Sequence, residues 1–241
     1  MLKSGTHSRP IQAEPNIPLP VPAIIIARVL ADPETDMPHW MTRISLVLTL
    51  LIAAMLPLSA AQAQGDPAIA TVQGFYDTLL ASMKGGKALG TQGRFDKLKP
   101  AVDQAFEVGT MIKYAVGPGW DSASPADQKA LTDAFARMTV AQYAGNFSSF
   151  GGEKFIVDPQ VSVRGADHYV SSKLVTSDQS ITFIYRVRPF GGSWKIIDVL
   201  LDGNISQLSV YRSDFAATVK AGGASALVTK INALADKALK G

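Results

Sequence analysis

The residues best suited to acid–base chemistry in this sequence are two aspartates, Asp198 and Asp202, which flank three apolar residues. A carboxylate that is buried among apolar side chains has a raised pKa and can act as a general base. The alternation of a half-buried strand would instead turn Asp198 towards solvent, and Asp202 stands where a residue that caps the following helix is expected. The sequence favours this second interpretation, in which neither aspartate is catalytic.

Histidine and cysteine chemistry is scarce. His168 is the only histidine after residue 63, since His7 and His39 lie in the N-terminal segment, and the chain has no cysteine. Thiolate nucleophiles and Cys-based zinc sites are therefore excluded, and no Ser-His-Asp triad or histidine metal cluster can be assembled convincingly. We expect His168 to be an ordinary surface or edge histidine, and we expect no catalytic residue, no metal and no cofactor.

Motifs for phosphate and nucleic-acid binding are also incomplete. Gly86-Lys87-Ala88 lacks the Ser or Thr of a P-loop, and Gly117-Pro118-Gly119-Trp120 lacks the later glycine of a dinucleotide-binding turn. The net charge is only +3, and the basic residues are interspersed with acidic ones. Because nucleic-acid binding needs a concentrated basic surface, we expect no nucleic-acid partner.

An export signal precedes the part of the chain that can fold. The apolar stretch Ile44–Leu58 is about 15 residues long, short of the roughly 20 that cross a bilayer, and Ala61-Gln62-Ala63 has the small-x-small pattern of a cleavage site. We therefore expect residues 41–63 to be a cleavable signal peptide that directs the protein out of the cytoplasm. Residues 1–40 carry seven prolines, and we expect synthesis to start at Met41, with a disordered extension as the alternative.

Helical periodicity dominates both ends of residues 64–241, which we expect to form a single domain. We expect the first helix to end at Gly85-Gly86, the second to break near Gly109 and the last to be interrupted at Gly222-Gly223. Helix-start patterns support these assignments. The helices begin at Asp66-Pro67, near Phe95, at Ser124-Pro125 and after Asp202-Gly203.

Between these helices the apolar period changes to two, which is typical of strands. The third predicted strand alternates Phe183 and Tyr185 with Thr182 and Arg186, so we expect one face to be buried in a core and the other to be largely exposed to solvent. Short connections force antiparallel hairpins, and the result is an α+β domain with helices packed on one sheet face. The strands lie near Phe155–Arg164, His168–Thr176, Ser180–Arg188 and Ser193–Leu201.

One stretch is specific enough to suggest a family. Trp194 to Ser206, followed by Tyr211-Arg212-Ser213-Asp214-Phe215, resembles the C-terminal signature of the MlaC and toluene-tolerance family of periplasmic lipid-binding proteins. The resemblance extends over Asp66 to Lys240. The extra residue Asn204, between the glycine and the Ile-Ser pair, makes this stretch most similar to the hopanoid-associated HpnM branch.

This resemblance implies an NTF2-like curved four-stranded antiparallel sheet, with helices enclosing an apolar pocket. It also implies a carrier that shuttles a phospholipid or hopanoid between the outer and inner membranes. The implied partners are an inner-membrane ABC transporter with an MCE protein and an outer-membrane lipoprotein complex. Two alternatives stay open: an enzyme in an NTF2-like pocket, with Asp198 or Asp202 as the base, and a non-enzymatic scaffold for hopanoid-synthesis machinery.

The predicted pocket depends on a strand that is apolar on both faces. Such a strand, here Trp194 to Leu201, must be covered on both sides or must meet a ligand. The residues alone leave both possibilities open, and the family resemblance favours the ligand. The large apolar residues expected to line the pocket are Phe75, Leu79, Tyr114, Phe135, Met138, Phe183, Tyr185, Val187, Trp194, Ile196 and Val199.

Overall fold

The computed structural model describes residues 65–240, so the two predictions for residues 1–40 and 41–63 lie outside the described part of the chain. Within residues 65–240, no helix combines the length and the apolarity that a membrane span requires. The helices are α1 (Pro67–Ala105), α2 (Val108–Val116), α3 (Pro125–Asn146) and α4 (Gln207–Lys240), with a 3₁₀ turn at Gly117–Trp120. The strands are β1 (Lys154–Arg164), β2 (Asp167–Val175), β3 (Ser180–Phe190), β4 (Ser193–Leu201) and β5 (Ile205–Ser206).

The strands form one antiparallel sheet in the order β1-β2-β3-β4-β5. Register shifts between Val157 and Val161 on β1 and between Arg186 and Val187 on β3 mark bulges, which bend strands and increase their twist. The two-residue strand β5 joins the four expected strands at the β4 edge. The predicted α+β class with a curved, NTF2-like sheet is confirmed.

Two helix starts follow the capping rules from which they were predicted. The side chain of Asp66 accepts a hydrogen bond of 2.9 Å from the backbone N–H of Ala68 at the start of α1. Ser124 accepts one of 3.1 Å from the N–H of Asp127 at the start of α3. Each cap is followed by a proline, which has no N–H to leave unpaired.

Two of the three expected helix breaks are confirmed. Gly86 has φ = 46°, a non-helical conformation that favours glycine, so α1 consists of helical segments that are joined at a kink there. Gly223, with φ = 63°, interrupts α4 in the same way.

The break expected near Gly109 lies slightly earlier in the chain, since Gly109 is already within α2. The break falls at Phe106 and Glu107 instead, where the N–H of Glu107 donates a 2.9 Å hydrogen bond to the carbonyl of Ile196 on β4.

The core lies between the inner face of the sheet and the helices. Phe183, Tyr185 and Val187 on β3 are all buried, as the period of two predicts, and Thr182 and Arg186 on the opposite face are half-buried. Helix α3 packs against α1 and α4, so these helices form a second layer over the sheet. This layer positions the side chains that enclose the candidate site.

Candidate lipid-binding cavity

A cavity of about 90 Å³ lies between the helical layer and the inner face of the sheet. Side chains from α1, α3, β3, β4 and the start of α4 form its walls, and Phe106, Met111 and Phe155 complete them. Among the described residues that line the cavity, none carries a charge. Such a space suits hydrocarbon and offers no partner to an ionised group.

Five of the eleven residues predicted to line a pocket come together around this cavity. They are Leu79 on α1, Phe135 on α3, Phe183 and Tyr185 on β3, and Val199 on β4. Tyr185 and Val199 are direct partners in the antiparallel pairing of β3 with β4, which brings their side chains together on the inner face. Their contact with a ligand stays a prediction.

Four other predicted lining residues, Phe75, Met138, Val187 and Ile196, are buried in the core instead. Phe75 packs edge-on against Tyr143, with ring centroids 4.8 Å apart, and so lies directly behind the cavity wall. These side chains support the wall and do not line it.

The last two predicted lining residues lie away from the cavity. Trp194 is half-buried and contacts His168, with ring centroids 4.2 Å apart. Tyr114 is 43% exposed on α2. The buried face of α2 consists of Val108, Met111, Ile112, Ala115 and Val116, and Tyr114 lies outside this face.

Phe135 was predicted to line the cavity, but sequence reasoning missed the rest of its stripe on α3. Thr139, Gln142, Tyr143 and Asn146 also line the cavity, at the spacing of three and four residues that shares one helix face. Polar residues within an inward-facing aromatic stripe are the signal that could have found this wall.

Three tyrosines, Tyr76, Tyr143 and Tyr185, line the cavity wall. The hydroxyl of Tyr76 on α1 lies 2.7 Å from that of Ser172 on β2. The ring of Tyr76 packs edge-on against that of Tyr185, with centroids 5.6 Å apart. Burial raises the pKa of Tyr76 to about 12, although the hydrogen bond with Ser172 acts in the opposite direction. Burial also raises the pKa values of Tyr143 and Tyr185, so all three are neutral phenols.

A fourth tyrosine lies where the cavity reaches the protein surface. Tyr211 on α4 donates a 2.7 Å hydrogen bond to the side-chain oxygen of Gln142, and burial raises the pKa of Tyr211 to about 12. Asn146 is exposed and Gln207 is half-buried, and both line the cavity. The cavity therefore has an apolar interior and an opening edged by neutral amides.

Comparison with known proteins decides the family. A family model described as MlaC protein matches residues 73–233, which span α1 to α4. This chain belongs to the MlaC family. A solved structure of a phospholipid-binding protein from Ralstonia solanacearum, in complex with a phospholipid, is similar to it, with a TM-score of 0.61 and 25% sequence identity. The match covers 72% of this chain and 99% of that one. No curated protein sequence matches this chain.

Asp198 of this MlaC family member does not face solvent as predicted. It is buried and accepts hydrogen bonds from the hydroxyl of Ser206 at 2.6 Å and from the N–H groups of Val199 and Leu208 at 2.8 and 3.3 Å. Burial raises the pKa of Asp198, and these three hydrogen bonds oppose the rise. The bulge in β4 and the turn into α4 place this carboxylate over the helix N-terminus, where it satisfies backbone donors.

Asp202 was expected to cap the last helix, and this prediction is wrong. It is an exposed turn residue with φ = 48°, and the cap is provided by Ser206, which accepts a 3.1 Å hydrogen bond from the N–H of Ser209. The short strand β5 separates Asp202 from the helix. Neither aspartate lines the cavity of this MlaC family member.

His168 was expected at the surface or at an edge, but it is half-buried near the start of β2, between β1 and β3. Its Nδ1 lies 2.7 Å from Oδ2 of Asp66, the residue that caps α1, and its ring packs against Trp194. This contact fixes the start of α1 on β2. Among the described residues of this MlaC family member, no group of three His, Asp or Glu side chains is arranged to hold a metal ion.

Asp167 forms the most buried ion-pair cluster among residues 65–240 of this MlaC family member. Its carboxylate accepts a 2.7 Å hydrogen bond from Nε of Arg186 and one of 3.0 Å from Arg188. Burial alone would raise the pKa of Asp167, but the hydrogen bonds and charges of the two arginines outweigh it and lower the pKa. The cluster is on the outer side of the sheet and joins β2 to β3.

Proposed function

We propose that this protein is a lipid carrier that encloses hydrocarbon in the cavity between the sheet and the helices and leaves the charged headgroup outside. The uncharged cavity wall carries this proposal, because a buried ionised group without a partner is very costly. Membership of the MlaC family and the similarity to a phospholipid-binding protein of Ralstonia solanacearum support it.

The energetics of hydrocarbon transfer explain why such a carrier is needed. Each methylene group that leaves water for an apolar site contributes about 0.8 kcal/mol, so a chain of about 16 carbons contributes on the order of 12 kcal/mol. Free lipid in an aqueous compartment is therefore negligible. The free energy of a lipid in the cavity has to be close to its free energy in the bilayer, because otherwise the protein does not accept the lipid. The cavity must also not bind the lipid so tightly that delivery stops.

The cavity has to widen to accept its cargo. Its volume of about 90 Å³ is below the roughly 300–1,000 Å³ typical of pockets for small molecules. Its wall consists largely of aromatic side chains from separate elements, which can move apart as a chain enters. Entry of an acyl chain therefore requires these side chains to move apart.

The cellular role that we propose is transport across the periplasm. The apolar stretch before Ala61-Gln62-Ala63 and the resemblance to periplasmic carriers support export. The cargo is a phospholipid or a hopanoid, and the partners are an inner-membrane ABC transporter with an MCE protein and an outer-membrane lipoprotein complex. Osmotic-shock fractionation of the native cells tests the location, and a cytoplasmic protein with an uncleaved N-terminus contradicts it.

The proposed role is not enzymatic. The carboxylate of Asp198 already accepts three hydrogen bonds and does not line the cavity, so it is poorly placed to act as a base on a bound molecule. A scaffold without cargo would need no internal space, whereas a cavity is present. A binding role is therefore the function that the geometry supports best.

An uptake experiment tests the proposal and identifies the cargo. The full-length exported protein is incubated with vesicles that contain phospholipid and hopanoid, re-isolated by size exclusion and extracted with organic solvent. We expect mass spectrometry to find lipid at about one molecule per protein. A protein that stays free of lipid, both as purified and after incubation, contradicts the proposal.

A further inference from the structure

The cavity opens at one end of the sheet. The wall residues that keep some exposure to solvent include Asn146 at the end of α3, Phe155 near the start of β1, Leu201 at the end of β4 and Gln207 at the start of α4. In the antiparallel register, β1 starts at the same end of the sheet at which β4 stops. The opening therefore lies where the loop from α3 to β1 and the turn from β4 to β5 meet the solvent.

Two exposed apolar side chains, Phe150 and Ile205, lie beside this opening, and we call them the rim. Phe150 is 42% exposed. It belongs to the loop that leaves the cavity wall at Phe147 and returns to it at Phe155, two residues whose ring centroids are 6.1 Å apart. Ile205 is 49% exposed and pairs with the wall residue Leu201. The rim is therefore continuous with the wall of the cavity.

A cation accompanies the aromatic side chain of the rim. Nζ of Lys84 on α1 lies 5.4 Å from the centroid of the Phe150 ring. The carboxylate of Glu153, in the same loop, turns back onto the loop and accepts a 2.6 Å hydrogen bond from the backbone N–H of Gly151. An aromatic ring beside a lysine suits the surface of a bilayer, because the ring enters the apolar layer while the ammonium group stays at the level of the phosphates.

We propose that the rim binds the surface of a phospholipid bilayer, so that an acyl chain passes from the bilayer into the cavity without crossing water. This inference rests on the proposed lipid-binding function and adds the surface through which the cargo enters. A bilayer fits the rim because the cavity behind it is uncharged and the proposed cargo resides in bilayers. Each methylene group that had to cross water on the way would slow the transfer about fourfold.

An environment-sensitive fluorophore tests the contact directly. The chain has no cysteine, so Phe150→Cys and Ile205→Cys can each be labelled at a single site with a thiol-reactive nitrobenzoxadiazole dye. Tyr114→Cys is the control, because Tyr114 is 43% exposed and lies away from the cavity. Each full-length exported protein is mixed with vesicles of phosphatidylcholine and phosphatidylglycerol.

We expect the emission at both rim positions to shift to shorter wavelength and to be quenched by spin-labelled acyl chains, while the control emission stays unchanged. The shift should reverse when the vesicles are removed by centrifugation. An unchanged emission at either rim position overturns the proposal and favours a protein partner for this surface. A shift that persists in full without vesicles comes from lipid in the cavity and also overturns the proposal.

The kinetics of uptake measure what the rim contributes. Phe150→Ser combined with Ile205→Ser removes both apolar side chains and leaves the cavity wall intact, so we expect the initial rate of lipid uptake from these vesicles to fall about tenfold. The lipid held at equilibrium should stay at the native level. The matched control is Tyr114→Ser combined with Val163→Ser, which removes one exposed aromatic and one exposed aliphatic side chain away from the opening and should keep the native rate.

These outcomes separate the role of the rim from the proposed function. The proposal for the rim is wrong if the folded double variant takes up lipid at the native rate. It is also wrong if the equilibrium lipid content of that variant falls as far as its rate, since Phe150 and Ile205 would then belong to the binding site itself. Circular dichroism establishes that each variant is folded. If the native protein takes up no lipid from vesicles and carries none as purified, the lipid-binding function itself is wrong.

Discussion

Tyr185 on β3 lies directly opposite Val199 on β4, and both side chains line the cavity. Two residues further along the same face of β3, Val187 is completely buried and lies outside the cavity wall. Neighbouring valines on one sheet face therefore differ in what they contact: Val199 borders the open space, and Val187 borders only other side chains.

This difference predicts opposite effects for one substitution at the two valines. Val199→Phe places its ring in the cavity, so we expect a folded protein that retains much less lipid. Val187→Phe overpacks the core and should lower the free energy of unfolding by about 1–3 kcal/mol. Urea denaturation and quantification of bound lipid check both variants. Normal lipid content in Val199→Phe would show that lipid lies elsewhere.

The cavity tyrosines should remain un-ionised far above the usual range. Burial raises the pKa values of Tyr76 and Tyr211 to about 12 and also raises those of Tyr143 and Tyr185. Because the folded pKa exceeds the unfolded value of about 10, the stability that these phenols contribute is complete below pH 10 or so and is lost as the pH rises through about 12.

An alkaline titration measures this effect. Tyrosinate absorbance and far-ultraviolet circular dichroism are followed together, and we expect the four buried tyrosines to ionise only as the helices unfold. Ionisation of all the tyrosines near pH 10, with the secondary structure intact, would contradict the burial of these four hydroxyls.

Removal of the Asp198 carboxylate should destabilise the junction between β4 and α4. Asp198→Ala leaves the Ser206 hydroxyl and two backbone N–H groups without their acceptor, so we expect the free energy of unfolding to fall by about 2–4 kcal/mol. Asp198→Asn keeps one acceptor oxygen and should cost much less. If both variants match the native protein in urea denaturation, Asp198 does not stabilise the junction between β4 and α4.

The Asp167 cluster predicts a stability difference that depends on pH. The lowered pKa of Asp167 means that its contribution is present above pH 4 or so and is lost as the pH falls through its folded pKa. Asp167→Asn should therefore destabilise the protein at pH 7 and have less effect at pH 3. Asp133→Asn is the control, because the ion pair of Asp133 with Lys129 is exposed and should contribute little.

The sequence predicts the strands well because apolar residues at every second position and short turns leave few alternative positions for the strands. β4 has the expected limits, Ser193–Leu201, and β1 starts only one residue earlier than expected. The break between α1 and α2 is less predictable because it depends on a distant contact. Glu107 leaves the helical path when its N–H bonds to Ile196, a residue far along the chain, and no local pattern near Gly109 contains that information.

The candidate site is predictable only in part, because the same residue types build a core and a cavity wall. Phe135 and Met138 lie one turn apart on α3, and only Phe135 reaches the open space. Asp198 shows a related limit: alternation along a flat strand turns it outwards, but the bulge and the returning helix bury it. Whether such a residue lines the cavity, lies in the core or faces solvent depends on how the helices and strands pack and not on the local sequence.

Native mass spectrometry of the purified protein beside its Val199→Phe variant tests the central claim, that hydrocarbon occupies the space between the sheet and the helices. We expect the native protein to carry a one-to-one lipid adduct and the folded variant to have lost most of it. Equal lipid adducts on both proteins, or a bare protein mass for the native chain even after incubation with vesicles, would contradict that claim.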